Sequence, residues 1–328
     1  MQANQNDVNH ALGEKVAAVF SEVSKVVVGQ KEMVEGIFIG LITGGHILLE
    51  GVPGLAKTLT ISSVAKSLSL GFQRIQFTPD LLPTDLIGTM IFNPKSGEFT
   101  AKKGPVFTNI VLADEINRAP AKVQSALLEA MAEKQVTIGD TSYPLDFPFL
   151  VMATQNPLEQ EGTYPLPEAQ MDRFLFKIVV DYPTKKEEME ILDRMSDGVH
   201  EVINSVLTKE DVVNLHNAVN ATHVDEKIKA YIVDIVMATR ELNNYGLGHI
   251  DSLVQVGASP RATIGFVRAA KARAFLLKRN FVTTDDVKAV AYSILRHRLV
   301  LSFEAEAENV PADDIIKEIL NAVEVPSV

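Results

Sequence analysis

The chain has 328 residues, 46% of them hydrophobic and 22% charged, which describes an ordinary globular protein of about two domains and excludes a disordered one. A formal net charge of -11, without any lysine- or arginine-rich block, disfavours nucleic acid and anionic membranes as partners. The absence of cysteine excludes disulfides and thiolate metal sites.

The opening residues, Met1 to Asn6, are polar and lack the charged-then-apolar order of a signal peptide. No apolar run approaches the length of a membrane span, so a cytoplasmic protein without membrane insertion is expected. Leu12, Val16, Val19, Phe20 and Val23 recur at helical spacing and predict a helix near residues 10–25. Val28-Gly29-Gln30 breaks it, and a second helix runs from about Lys31 to Thr43. The apolar run Ile47-Leu48-Leu49 then predicts a strand ending at Glu50, followed by Gly51-Val52-Pro53-Gly54-Leu55-Ala56-Lys57-Thr58 and a helix from about Leu59 to Leu70.

Strand, glycine-containing turn and helix form the context of a phosphate-binding loop. Its amides curl inward, and the helix offers its positive end to an anion. Lys57 would reach the terminal phosphates and the Thr58 hydroxyl would ligate Mg²⁺. Ala56 stands where the pattern expects its last glycine, which weakens close backbone approach without excluding it. By itself the stretch also fits an ordinary strand-to-helix turn.

A second strand covers Phe72 to Phe77, and Thr78 to Thr108, with four prolines and three glycines, reads as an irregular insert holding a turn at Asn93 to Gly97. Ile110-Val111-Leu112-Ala113 is a strand buried on both faces, and it ends in Asp114-Glu115. A helix from Pro120 to Glu133, a hairpin over 136–145 turned at Gly139-Asp140, a strand over 149–153 ending near Asn156, and a strand over 174–180 follow. Beyond Tyr182-Pro183 strand signals stop. Six helical patterns follow, near 184–195, 208–221, 225–243, 260–279, 284–296 and 311–323, with caps at Thr208, Ser259 and Thr284. An α/β domain over 1–183 and a helical domain over 184–328 are therefore expected.

Parallel strands carry ligand sites at their C-terminal edge, so Asp114-Glu115 and the glycine loop would share one crevice. Asp114 would hold the Mg²⁺ shell and Glu115 would polarise a water for attack on the γ-phosphate. The alternative is an acid pair capping the next helix. Asn156, at the same edge, would hold the attacking water, or is a turn asparagine before Pro157. Arg173, with a fork suited to phosphate oxygens, enters the last strand; a salt bridge with Asp172 or Glu168 is the other reading. Arg261 lies in the first turn of a helix, where a cation opposes the macrodipole unless an anion faces it, or is a surface arginine with a nearby acid. Seven scattered histidines show no metal-ligand spacing, and no G-x-S-x-G elbow is present.

Gly51 to Thr58, Asp114-Glu115-Ile116-Asn117-Arg118-Ala119, Ala153 to Pro157, Pro167 to Phe174 and Gly257 to Arg261 together resemble the MoxR-type AAA+ ATPases, in order and over nearly the whole chain. Ala56 matches what that family usually carries. The resemblance implies a P-loop NTPase fold, with a parallel sheet flanked by helices and a C-terminal all-α lid domain. It implies Walker A at Lys57 and Thr58, Walker B at Asp114 and Glu115, sensor 1 at Asn156, a trans-acting arginine finger at Arg173 and sensor 2 at Arg261. Val28, Gly29 and Gln30 would border the adenine pocket, while Gly51 to Leu59 would hold the ATP phosphates. Residues 78–108 would be the helix-2 insert, 136–145 the hairpin before sensor 1, and Arg118 a further contact at the subunit boundary. The implied activity is Mg²⁺-dependent ATP hydrolysis by a hexameric ring acting as a chaperone-like remodeller. The usual partners carry von Willebrand factor A domains, and metal insertion or complex maturation is the common theme. A DNA-handling motor of the same superfamily and a chelatase-type subunit remain alternatives. A monomeric P-loop switch fits less well, given two arginine candidates expected to be buried at the site and a helical lid.

Overall fold

Short apolar runs that cannot cover themselves pair into one sheet, and the structure, a computed structural model, describes the chain over residues 2–52, 54–95, 97–157, 162–196 and 201–326, with side chains from residue 11 on, Met195 excepted. The elements are α1 (Gln2–Val26), α2 (Lys31–Thr43), β1 (Ile47–Glu50), α3 (Lys57–Ser67), β2 (Phe72–Gln76), α4 (Pro83–Ile87), β3 (Gly88–Asn93), β4 (Glu98–Lys103), β5 (Ile110–Asp114), α5 (Ala121–Glu133), β6 (Gln135–Ile138), β7 (Thr141–Pro144), β8 (Leu150–Gln155), α6 (Glu168–Met171) and β9 (Phe176–Val179). Then follow α7 (Lys185–Ser196), α8 (Lys209–Asn220), α9 (Glu226–Ala238), β10 (Val254–Val256), α10 (Pro260–Leu276), α11 (Thr284–Leu295), β11 (Val300–Leu301), α12 (Phe303–Ala307) and α13 (Ala312–Ala322).

The main sheet has the order β2-β5-β8-β1-β9. Its registers are parallel, with Gln76 opposite Asp114, Ala113 opposite Ala153 and Glu50 opposite Gln155. Ile47, Leu48, Leu49, Ile110 to Ala113 and Leu150 to Ala153 are all buried, as strands covered on both faces must be. Helix α2 is apolar nearly all round, with Ile37, Phe38, Ile39, Leu41 and Ile42 inside. This is the α/β architecture that the sequence predicts. The common orientation of β1, β5 and β8 brings the phosphate loop, Asp114 and Asn156 to one edge.

The chain divides into two compact units that interleave along the sequence. One comprises Glu14–Leu166 and Ile178–Asn214; the other comprises Met1–Gly13, Pro167–Lys177 and Leu215–Val328. The second unit is mainly helical, with a small antiparallel ribbon of β10 and β11 that falls between the predicted helices.

The insert over 78–108 is more ordered than its proline and glycine content suggests. It folds as α4 and the β3–β4 hairpin, whose strands pair from Gly88 opposite Lys103 to Asn93 opposite Glu98. Asn93 turns the hairpin by accepting the Lys95 N–H on its side chain at 3.0 Å, and Gly97 takes φ +73°. The cap expected at Thr284 lies one residue earlier. Thr283 donates its N–H and hydroxyl to Asp286, at 2.8 and 3.0 Å, because a capping box needs its acid three residues on.

His46 links two layers of the first unit. Its Nδ1 accepts the Val151 N–H at 3.0 Å and its Nε2 donates to the Met131 carbonyl at 3.2 Å. Burial pushes its pKa down to about 4. The folded pKa therefore lies below that of the unfolded chain. The resulting stability is fully present above about pH 6.5 and is lost as pH falls from there towards 4, by about 3 kcal/mol. Denaturation midpoints measured between pH 7 and pH 4 should fall accordingly. The fall should shrink in His46→Asn, which offers a neutral acceptor near the Nδ1 position.

Candidate active site

The phosphate loop begins where β1 ends. A Cβ at Gly51 would sit 2.7 Å from the Val180 carbonyl oxygen, so only glycine lets the strand pass there. Gly54 takes φ +91°, and Ala56, at φ +55° and ψ +18°, is left-handed immediately before α3. A left-handed alanine costs about 1–2 kcal/mol. The turn that aims the first amides of α3 inward is thus held against backbone preference, as functional loops often are. Leu55 is buried and anchors the loop, while Leu59 is exposed on α3. Pro53 lies outside the described residues.

A cavity of about 380 Å³ opens at this edge, lined by the loop, Lys57, Thr58, Asp114, Glu115, Thr154 and Asn156. Val52 does not line it. The Lys57 ammonium donates to the Gly51 carbonyl at 2.7 Å. Burial draws its pKa below the ordinary lysine value, against the pull of Asp114 and Glu115. A half-buried cation facing two acids across a cavity is a site for polyanions and a second cation.

Thr154 organises the acids. Its hydroxyl donates to Asp114 Oδ1 at 2.7 Å and accepts the Glu115 N–H at 2.8 Å. Arg74 Nε donates to Asp114 Oδ2 at 3.0 Å, while Gln76 and Arg118 donate to Glu115 Oε2 at 2.7 and 2.9 Å. Glu115 itself is left-handed, at φ +55°. Arg74 and Gln76 have no motif signature, and Thr154, though inside the Ala153 to Pro157 stretch, has no role assigned by it. The only sequence trace is polar residues at the ends of strands β2 and β8.

Val28, Gly29 and Gln30 do not line the loop cavity. They line a smaller one of about 190 Å³ with Asp181, Tyr182, Pro183 and Glu187. A side chain at Gly29 would collide with the Glu187 carboxylate, 2.6 Å from its Cβ position. Arg173 and Arg261 belong to the other compact unit, and both are exposed, contrary to the expected burial. Arg261 Nη1 stands 3.6 Å from Asp172 Oδ2, at the start of α10, whose cap Ser259 accepts the Arg261 N–H at 3.1 Å. Among the described residues no cluster of three or more histidine or acidic side chains forms a metal centre, and no helix is long and apolar enough to cross a membrane.

A phosphate loop and an acid pair on parallel strands of one sheet, with β8 between them, accompanied by a helical lid, define an AAA+ ATPase. Residues 46–176 match the ATPase family associated with various cellular activities (AAA), and residues 249–319 match the AAA lid domain. Within that class the chain belongs to the MoxR family. It is 48% identical to Chaperone MoxR1 of Mycobacterium tuberculosis over 95% of this chain and 82% of that one. To Protein MoxR of Methylorubrum extorquens it is 33% identical, over 93% of each chain. The crystal structure of a proposed ATPase from Cytophaga hutchinsonii superposes with a TM-score of 0.94 at 53% identity, over 99% of both chains.

Proposed function

We propose that this protein hydrolyses Mg·ATP as a ring-forming, chaperone-like remodeller of protein clients in the cytoplasm. The observation that carries the reading is the Asp114–Glu115 pair, aligned by Thr154 and facing Lys57 across the loop cavity. Thr58 and Asp114 offer an all-oxygen donor set of the kind Mg²⁺ accepts, and Asp114 already holds a cationic group, the Arg74 guanidinium. Thr58 and Asp114 would hold the Mg²⁺, which would neutralise charge on the bound phosphates. Lys57 binds the γ-phosphate, Glu115 takes a proton from the attacking water and Asn156 orients that water.

Arg261 engages the phosphates of its own subunit's nucleotide, and Arg173 reaches the neighbour's. These assignments follow the family pattern, as do a hexameric ring, partners carrying von Willebrand factor A domains, and a role in metal insertion or complex maturation. The name of the mycobacterial relative supports the chaperone-like part.

Glu115→Gln tests the chemistry. The amide keeps the shape that Gln76 and Arg118 hold, so fluorescent ATP should still bind with near wild-type affinity. Phosphate release should fall about 10²–10⁴-fold, the usual share of a general base. Wild-type turnover in that variant would remove Glu115 from the mechanism.

A further inference from the structure

One carboxylate precedes Arg173 in the chain and faces Arg261 in space, the two arginines assigned to phosphate recognition. Asp172 Oδ1 accepts from Arg298 Nε at 2.8 Å. Its Oδ2 accepts from the Ser259 hydroxyl at 2.8 Å and lies 3.6 Å from Arg261 Nη1. Ser259 also caps α10, the helix on which Arg261 rides, so the carboxylate grips that helix at its first residue.

The other side of the contact is a buried clamp. The Arg298 side chain is 3% exposed. Its Nη2 donates to the Asp172 carbonyl at 3.2 Å and the Phe174 carbonyl at 2.6 Å, and its Nη1 to the Leu175 carbonyl at 3.1 Å. His297 Nε2 adds a second donor to the Phe174 carbonyl at 2.9 Å. Peptide groups on both sides of Arg173 are thus fixed while the Arg173 side chain stays exposed. Pro167–Lys177 and α10 belong to the same compact unit, so this network is internal to it.

We propose that Asp172 is a positioning residue that couples Arg261, on the lid, to the presentation of Arg173 to the neighbouring subunit. The inference rests on the phosphate roles given to those arginines above.

The strengths of the two contacts set the direction. The Arg261–Asp172 contact is long and half-exposed, a weak kind of pairing, so a nucleotide phosphate displaces it readily. The Arg298–Asp172 pair is short and buried, and removing either partner strands a charge. When Arg261 moves to phosphate, the carboxylate keeps Arg298 and Ser259 and is drawn towards Arg298. The peptide groups that Arg298 holds, those flanking Arg173, adjust with it. ATP in one site thereby changes the arginine offered to the next.

Hydrogen exchange at the amides of residues 172–174 reads this adjustment. These amides are measurable because Asp172, Arg173 and Phe174 donate to the Glu168, Gln170 and Met171 carbonyls. The measurement is made in Arg173→Ala protein, in which the neighbour's phosphate has no direct grip on the segment. A saturating non-hydrolysable ATP analogue should change exchange there at least threefold, and the change should vanish in Arg173→Ala/Arg261→Ala at equal saturation. Persistence of the change in the double variant, or its absence in the single one, overturns the proposal.

A second measurement uses affinity. Asp172→Asn should tighten analogue binding several-fold by releasing Arg261, and should have no effect on binding in an Arg261→Ala background; independent, multiplying effects overturn the coupling. Because Asp172→Asn orphans Arg298, Asp172→Asn/Arg298→Met is run beside it and should bind the analogue equally tightly. If Arg261→Ala alone leaves affinity unchanged, the lid assignment itself has failed and the coupling falls with it.

Discussion

Lys57→Ala is expected to remove nucleotide binding and ATP turnover together, by about 10³-fold. The ammonium is the only cationic side chain in the loop, and it shares its cavity with Asp114 and Glu115. At about 4 Å and an effective dielectric near 20, one charge pair is worth about 4 kcal/mol, or close to three decades in affinity. Without the lysine, two carboxylates face the triphosphate, which adds repulsion to the lost attraction. The fold should tolerate the change. Burial already disfavours the charged ammonium, and its hydrogen bond to the Gly51 carbonyl is replaceable by water. A titration with fluorescent ATP and a thermal melt therefore separate the outcomes: affinity lost, melting temperature shifted by only about 2–4 °C. Retained affinity would show that the cavity does not hold phosphate.

The second large effect is expected at Arg173. An arginine that stabilises transferred phosphate contributes about 10³–10⁵ in turnover, so Arg173→Ala should lose at least about 10³-fold at concentrations where the ring is assembled. Affinity for ATP should stay within about twofold if the residue serves the neighbour's site, as proposed above. Mixing supplies the decisive measurement. Arg173→Ala subunits keep an intact phosphate loop, and Lys57→Ala subunits keep an intact arginine. Combined, they should recover part of the turnover that neither has alone. No recovery in mixed rings would mean that Arg173 does not act across the subunit boundary.

Much of the site was legible because its key residues sit at the ends of strongly patterned runs. Ile110 to Ala113 announces a doubly covered strand, and an acid pair at its end, in a sheet that also carries a glycine loop, serves the shared edge more readily than it caps the next helix. The glycine loop is readable for the same reason, since Ile47 to Leu49 fixes where the turn starts. Arg74, Gln76 and Thr154 escaped because their roles depend on which strands are neighbours and in what register. Gln76 lies opposite Asp114 only because β2 pairs with β5, and a slip of one residue would turn it to the other face. The β3–β4 hairpin escaped for a different reason. Its prolines and glycines lie at its ends and turn, while Met90, Ile91, Phe92 and Phe99 supply the pairing, including a ring contact of 5.2 Å between Phe92 and Phe99. The ribbon of β10 and β11 is too short to show a period of two.

The interleaving of the two compact units has a practical consequence for anyone wishing to exchange parts between relatives. The backbone passes from one unit to the other four times, at 13/14, 166/167, 177/178 and 214/215. A gene cut once near residue 183 would give two fragments, each lacking a segment that its own hydrophobic interior needs. Such fragments are expected to be insoluble when expressed separately and to regain solubility when produced together. A transplantable lid would have to carry Pro167–Lys177, and with it Arg173.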